Sequence, residues 1–298
     1  MHILFLIKNI YLPGETLSDP IINTKLHRPP VDRNYVYRPH LLAQLDNQHG
    51  KSLTLVSAAA GYGKSALISS WLETYENPGT WLSLSESDSD LRTFLSYFIA
   101  AVHEHFPEAC QNTQALLKNL DLPPLEALAT SLLNELDRIK QPFILVLDDY
   151  YLIREIAVHK LMGLILKHPP QFFHLVIIGR RDPPLPIASL RAQSQLIEIR
   201  TEDLCFSAAE TETLLNRLLG IQIDASTAAA LAKKTEGWVT GLRLAALSMR
   251  QQPDIDSKFL EPHVDAHFVM EYEDRAGIIW VGTLGGLNRL DRERDQFV

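Results

Sequence analysis

The stretch Leu53-Thr54-Leu55-Val56-Ser57-Ala58-Ala59-Ala60-Gly61-Tyr62-Gly63-Lys64-Ser65-Ala66-Leu67-Ile68-Ser69-Ser70-Trp71-Leu72 decides the fold. It opens on an apolar, β-rich run, turns through two glycines, and continues from Lys64-Ser65 into a helix-like segment. Strand, glycine-containing loop and helix in that order are the setting of a P-loop. Phosphate oxygens need several backbone N–H donors converging at a helix N-terminus, and Gly61 and Gly63 let the chain curl closely enough to supply them. Ala60, Gly61, Tyr62, Gly63, Lys64, Ser65 and Ala66 are therefore the candidate phosphate cradle. Lys64 is placed to reach the β- and γ-phosphates, and Ser65 to offer its hydroxyl to Mg²⁺. Ala58 stands where the strict pattern has its first glycine, so the backbone there must avoid positive φ. The bland alternative is an ordinary turn between a strand and a helix, which gives no reason for Lys-Ser at its end.

Outward from this loop, short apolar runs alternate with longer stretches of helical periodicity, as expected of a parallel sheet covered by helices. The runs Leu53 to Ser57, Thr80 to Leu84, Phe143 to Leu147, Leu175 to Ile178 and Leu196 to Ile199 are nearly unbroken, as strands buried on both faces require. Leu91, Phe94, Leu95, Phe98, Ile99, Val102 and Phe106 form one helical stripe. Leu125, Leu128, Leu132, Leu133, Leu136 and Ile139 form another, and both are expected to face the sheet. The fold expected is α/β, a P-loop NTPase domain over residues 22–200 after an N-terminal extension at 1–21. From Thr201 the pattern is helical only, with Ser207 and Glu210 spaced as a capping box. A small helical subdomain is expected over 201–250 and a linker over 251–272, within which Pro253 to Asp256 reads as a break.

Two further runs bring chemistry to the loop. Phe143-Ile144-Leu145-Val146-Leu147 ends in Asp148-Asp149, which places Asp148 to hold Mg²⁺ directly or through water and Asp149 to polarise an attacking water. Alone, the pair also suits two solvated aspartates at a strand end. The run His174 to Gly179 delivers Arg180 and Arg181, and Arg180 is the preferred sensor of phosphate charge. The alternative there is two surface arginines paired with Asp182 or other nearby acids.

Composition narrows the class. The 298 residues carry 28 basic and 36 acidic side chains, a net charge of −8 that disfavours wrapping of a nucleic-acid backbone by the chain as a whole. Cys110 and Cys205 lack metal or redox spacing, and the apolar run Met1 to Ile7 is too short for a membrane span, so a reducing cytoplasm and no membrane are expected. His103 and His105 fall on different helical faces, and His263 and His267 lie in polar sequence, so no metal site is expected from histidine. Trp238, between Gly237 and Gly241, is expected to join the helical segment to the sheet.

Short matches in a fixed order extend the P-loop signal. They are Thr24-Lys25-Leu26-His27-Arg28-Pro29, Val36-Tyr37-Arg38-Pro39-His40-Leu41-Leu42, the 60–65 loop, Trp81 to Leu84 and Leu145 to Tyr150. The order continues with Arg180 to Pro186, Leu204 to Ser207, and Thr235-Glu236-Gly237-Trp238-Val239-Thr240-Gly241-Leu242. Residues 22–250 thus resemble the nucleotide-binding module of the STAND class of signal-transduction ATPases, specifically the MalT-like, large LuxR-type transcriptional regulators. The resemblance implies a switch that rests with ADP and self-associates with ATP, hydrolyses slowly, and closes its helices over a nucleotide touched by Arg38. It also implies a repeat sensor and a DNA-binding output. No stretch of this sequence resembles either, so no direct DNA binding is expected.

Residues 273–298 have another texture. Ile278 to Val281 and Leu287 to Leu290 are strand-like around Gly285-Gly286, and the stretch resembles one repeat of a two-component-regulator β-propeller. A single repeat cannot close a propeller, so a loosely docked hairpin or disorder is expected, the product of a truncated or fused frame or else a native appendage. Three functions stay open: a regulatory ATP switch, a P-loop ATPase or kinase whose turnover is the function, and a nucleotide-binding fragment that signals nothing.

Overall fold

The computed structural model describes residues 21–251 and four short strands beyond them. Helix α1 (Pro39–Asp46) leads into β1 (Leu53–Ser57), α2 (Lys64–Thr74) and β2 (Gly79–Ser83). Helices α3 (Leu91–His103), α4 (Gln111–Leu117) and α5 (Leu125–Leu136) precede β3 (Phe143–Asp148). Then come α6 (Ile156–Lys167), β4 (Phe173–Gly179), α7 (Ile187–Ala192) and β5 (Leu196–Arg200). Four helices follow: α8 (Thr201–Leu204), α9 (Ala208–Leu219), α10 (Ala225–Lys234) and α11 (Val239–Gln251).

The five strands form one parallel sheet in the order β2-β3-β4-β1-β5. All five coincide with the apolar runs of the sequence. The chain leaves β1, crosses over two strand positions to the β2 edge, and works back through β3 to β4. Thus β4 lies between the loop strand β1 and the aspartate strand β3, with Ser57 opposite Gly179 and Leu147 opposite Ile177.

Strand side chains alternate between faces, and the core is split accordingly. Val56, Ile144, Val146, Val176 and Ile178 pack with Leu41 and Leu45 of α1 and with Leu67, Ile68 and Trp71 of α2. Leu55, Leu145, Leu147, Leu175 and Ile177 point the other way, against Phe94 and Phe98 of α3, Leu128 and Leu132 of α5, and Leu161 and Ile165 of α6. Both helical stripes therefore face the sheet. Each such side chain contributes about 1.5–3 kcal/mol on burial, and β1, β3 and β4 are buried along their whole length. The sheet is the rigid platform for the loops at its carboxyl end.

Ser207 caps α9 as its spacing predicts: its hydroxyl accepts from the Glu210 N–H, and the Glu210 carboxylate accepts from the Ser207 N–H. Gly220, in the left-handed region, ends the helix. Among the terminal strands, Met270–Glu273, Ile279–Thr283, Gly286–Asp291 and Gln296–Phe297 pair antiparallel in sequence order. The two strand-like runs of the sequence pair with each other, and Gly286 lies inside the second strand, opposite Thr283. Their likeness to a propeller repeat rests on sequence alone. The extension through residue 20, Pro253 to Asp256, His263 and His267 lie outside the described residues.

Candidate functional site

The loop between β1 and α2 sits at the carboxyl end of the sheet, where ligands of open α/β sheets bind. Gly61 and Gly63 have φ of 78° and 79°, the left-handed region that glycine enters without steric cost. Gly63 is the N-cap of α2, so the N–H groups of Lys64, Ser65 and Ala66 open the helix without intrahelical partners. Ala58 avoids positive φ, as its alanine requires, and its N–H donates to Gly179 O at 3.3 Å. The loop thereby starts from a fixed point on β4.

Lys64, Ser65, Asp148, Asp149 and Arg180 come together over this end. Ser65 Oγ donates to Asp148 Oδ1 at 3.1 Å, and the Asp149 N–H donates to the same oxygen at 3.0 Å. Asp148 is buried, whereas Asp149 is partly exposed at φ 58°, a conformation aspartate tolerates better than most residues. Lys64 Nζ donates to Ala59 O at 2.7 Å. Burial lowers the Lys64 ammonium to a pKa of about 8, against the pull of Asp148 and Asp149 and with the added push of Arg180. Arg180 lies over the Tyr151 ring at 4.8 Å, and Tyr151 is a neighbour that sequence reasoning missed. Asp182, one candidate partner for the arginines, pairs instead with Arg200, which holds its carboxyl below the ordinary range.

This donor set fits a nucleotide phosphate chain with a divalent cation. Two glycine-enabled turns and a helix N-terminus supply N–H donors, and a hydroxyl touching a buried carboxylate supplies hard oxygen ligands. A small divalent cation keeps several waters and takes few protein ligands, and Ser65 and Asp148 are the oxygen donors that could hold one here. Among the described residues no cluster of three or more His, Cys, Asp or Glu could hold a metal by itself.

The helices after β5 reach the loop directly. Trp238 Nε1 donates to Ala60 O at 3.0 Å, and Thr240 donates to Gly61 O through its N–H (3.2 Å) and its hydroxyl (2.9 Å). Trp238 thus joins the helical segment to the phosphate loop, where the sequence led one to expect the sheet. Thr240 stands in the same stretch, but the sequence gives it no role.

Arg38, expected to touch a nucleotide, is held among the helices that follow β5. Its guanidinium is buried and donates to Glu210 Oε1 at 2.7 Å and to the carbonyls of Asp203, Leu204 and Cys205, with Phe206 against its face at 4.9 Å. It pins the residues before α1 to the start of α9. Burial raises the Glu210 carboxyl, but hydrogen bonds from Arg38 and Ser207 outweigh this and leave it below its ordinary value. Arg217, donating to Tyr35 O, and Arg243, paired with Asp32 at 3.1 Å, add links between the same segment and α9 and α11.

Over 231 residues, 78% of its length, the chain is 38% identical to the HTH-type transcriptional regulator MalT of Yersinia pestis (strain Pestoides F). The stretch is MalT-like. The MalT of Serratia proteamaculans (strain 568) matches over 231 residues at the same 38%. The chain spans about a quarter of the length of these relatives, 26% and 25%. No protein-family model matches it. Among solved structures, a signal transduction ATPase with numerous domains (STAND) and a tetratricopeptide repeat sensor from Pyrococcus horikoshii superposes with a TM-score of 0.55 at 16% identity, covering 78% of this chain and 32% of that one. A Walker-type ATPase of Pyrococcus abyssi gives 0.51 at 13% identity, covering 76% and 71%. These two establish the P-loop NTPase fold of the MalT-like chain. No helix among its described residues is long and apolar enough to cross a membrane.

Proposed function

We propose that residues 22–250 are the ATP-binding switch module of a MalT-like transcriptional regulator, working in the cytoplasm and self-associating in its ATP form. The observation that carries this reading is the contact of Ser65 with Asp148 beside Lys64 at the mouth of the phosphate loop, a hydroxyl and a carboxylate that in this reading are the magnesium ligands.

In this reading the N–H groups from Gly61 to Ala66 hold the β-phosphate and Lys64 neutralises charge on the β- and γ-phosphates. Ser65 and Asp148 would hold a magnesium ion, which would supply neutralisation of the phosphate charge. Arg180, backed by Tyr151, senses the terminal phosphate, which distinguishes ATP from ADP by differential contact. Asp149 orients the attacking water. Its side chain is one methylene shorter than a glutamate, in keeping with slow turnover. Arg38 holds the helical segment that closes over the ligand.

Titration of the full chain with ADP and ATP, with and without Mg²⁺, tests the reading, and phosphate release separates a switch from a turnover enzyme. Binding with turnover well below about 1 per second supports the switch. Steady release at or above that rate assigns the function to turnover instead.

A further inference from the structure

The bonds from Trp238 and Thr240 reach the phosphate loop from its outer side, onto the carbonyls of Ala60 and Gly61. All described peptides are trans, and in a planar trans peptide the carbonyl and the next N–H point in opposite directions. Holding Ala60 O therefore fixes the direction of the Gly61 N–H, and holding Gly61 O fixes that of the Tyr62 N–H. The approach is close enough to need glycine. A Cβ at residue 61 would lie 2.5 Å from Thr240 Oγ1 and 2.6 Å from Trp238 Nε1. Val239 stands over Gly63 as well, its Cγ1 3.6 Å from where a Cβ would be. Three consecutive residues at the start of α11 thus rest on the loop.

We propose that Trp238 and Thr240 are positioning residues for phosphate binding: they hold two loop carbonyls so that the following N–H groups face the phosphates of a nucleoside diphosphate. Docking of α11 and affinity for the diphosphate then rise and fall together, because such coupling is reciprocal. The inference rests on the reading of residues 60–66 as a nucleotide site.

The test is titration of the full chain with ADP for wild type, Thr240→Val, Thr240→Ser, Trp238→Phe and Lys64→Ala, with thermal unfolding of each variant without nucleotide as control. Loss of one hydrogen bond in Thr240→Val or Trp238→Phe is expected to weaken ADP about threefold to tenfold. Thr240→Ser, which keeps the hydroxyl, is expected to stay within about twofold of wild type, with the unfolding midpoint little changed. Equal loss in Thr240→Ser and Thr240→Val means that the residue matters only by its packing and overturns the proposal. Wild-type affinity in both Thr240→Val and Trp238→Phe, with binding lost in Lys64→Ala, also overturns it but leaves the nucleotide site standing. Wild-type affinity in Lys64→Ala removes the site and the proposal together.

Discussion

Ser65 Oγ lies 3.1 Å from Asp148 Oδ1, a contact that joins the first turn of α2 to the end of β3 across the intervening β4. The two residues follow strands that are not neighbours, so only the sheet order brings them together. If they share a magnesium ion, Ser65→Ala and Asp148→Asn both shrink the gain in ATP affinity that Mg²⁺ confers by about tenfold, or ~1.4 kcal/mol. Affinity measured in excess chelator changes little. A magnesium dependence equal to wild type in both variants removes them as ligands.

Lys64 gives the site a pH signature. Its ammonium titrates near a pKa of about 8 because it is buried, and the negative charge of a bound phosphate chain raises that value. Below about pH 8 the lysine is protonated both free and bound, so affinity for ADP is flat. Above it, binding takes up a proton, and affinity falls by up to about tenfold per pH unit until the pKa of the bound form is reached. Calorimetric titration across this range checks the trend, and constant affinity to about pH 9.5 contradicts it. For folding stability without nucleotide the sign is reversed. Between the folded pKa and the ordinary value near 10.5 the unfolded chain binds more protons, so this group's contribution rises with pH.

Arg38 and Glu210 form a largely buried ion pair at 2.7 Å. Removing one partner strands the other charge, so Arg38→Ala is expected to cost about 3–5 kcal/mol of stability, measured by denaturant unfolding. The Glu210 carboxyl is held below its ordinary value, so its stabilisation is present above the normal carboxylate range and is lost as pH falls through the folded pKa. A cost under about 1 kcal/mol is that of an exposed pair and contradicts the structural role.

Much of this architecture is legible in the sequence, and the boundary of legibility is physical. The central strands β1, β3 and β4 are nearly unbroken apolar runs because both faces of the sheet are covered there, and Ser207 with Glu210 announces the start of α9 because a capping box is a local bond pattern. Strand order is not local. Apolar periodicity does not say that β2 lies at the edge or that β4 separates β1 from β3. The roles of Arg38 and Thr240 were hidden for the same reason: their partners Glu210 and Gly61 are 172 and 179 residues away. Glycines at 61 and 63 read correctly as conformational requirements, but that Gly61 also leaves room for Thr240 and Trp238 appears only in three dimensions.

Gly61→Ala combines both demands on that residue. The new methyl would meet Thr240 Oγ1 at 2.5 Å on a backbone of φ +78°. Loss of ADP affinity by about fivefold to 150-fold is expected from the roughly 1–3 kcal/mol that such strain costs. Wild-type affinity in this variant means that the loop and α11 separate without consequence for binding.

The central claim is that the loop from Ala60 to Ala66 binds a nucleotide through Lys64, and calorimetric titration of wild type and Lys64→Ala with ADP and with Mg²⁺·ATP tests it most directly. Wild type is expected to bind both ligands saturably, and Lys64→Ala, whose fold is held by the sheet and stays intact, to lose at least about tenfold, or ~1.4 kcal/mol. Equal affinity of the two proteins for both nucleotides contradicts it.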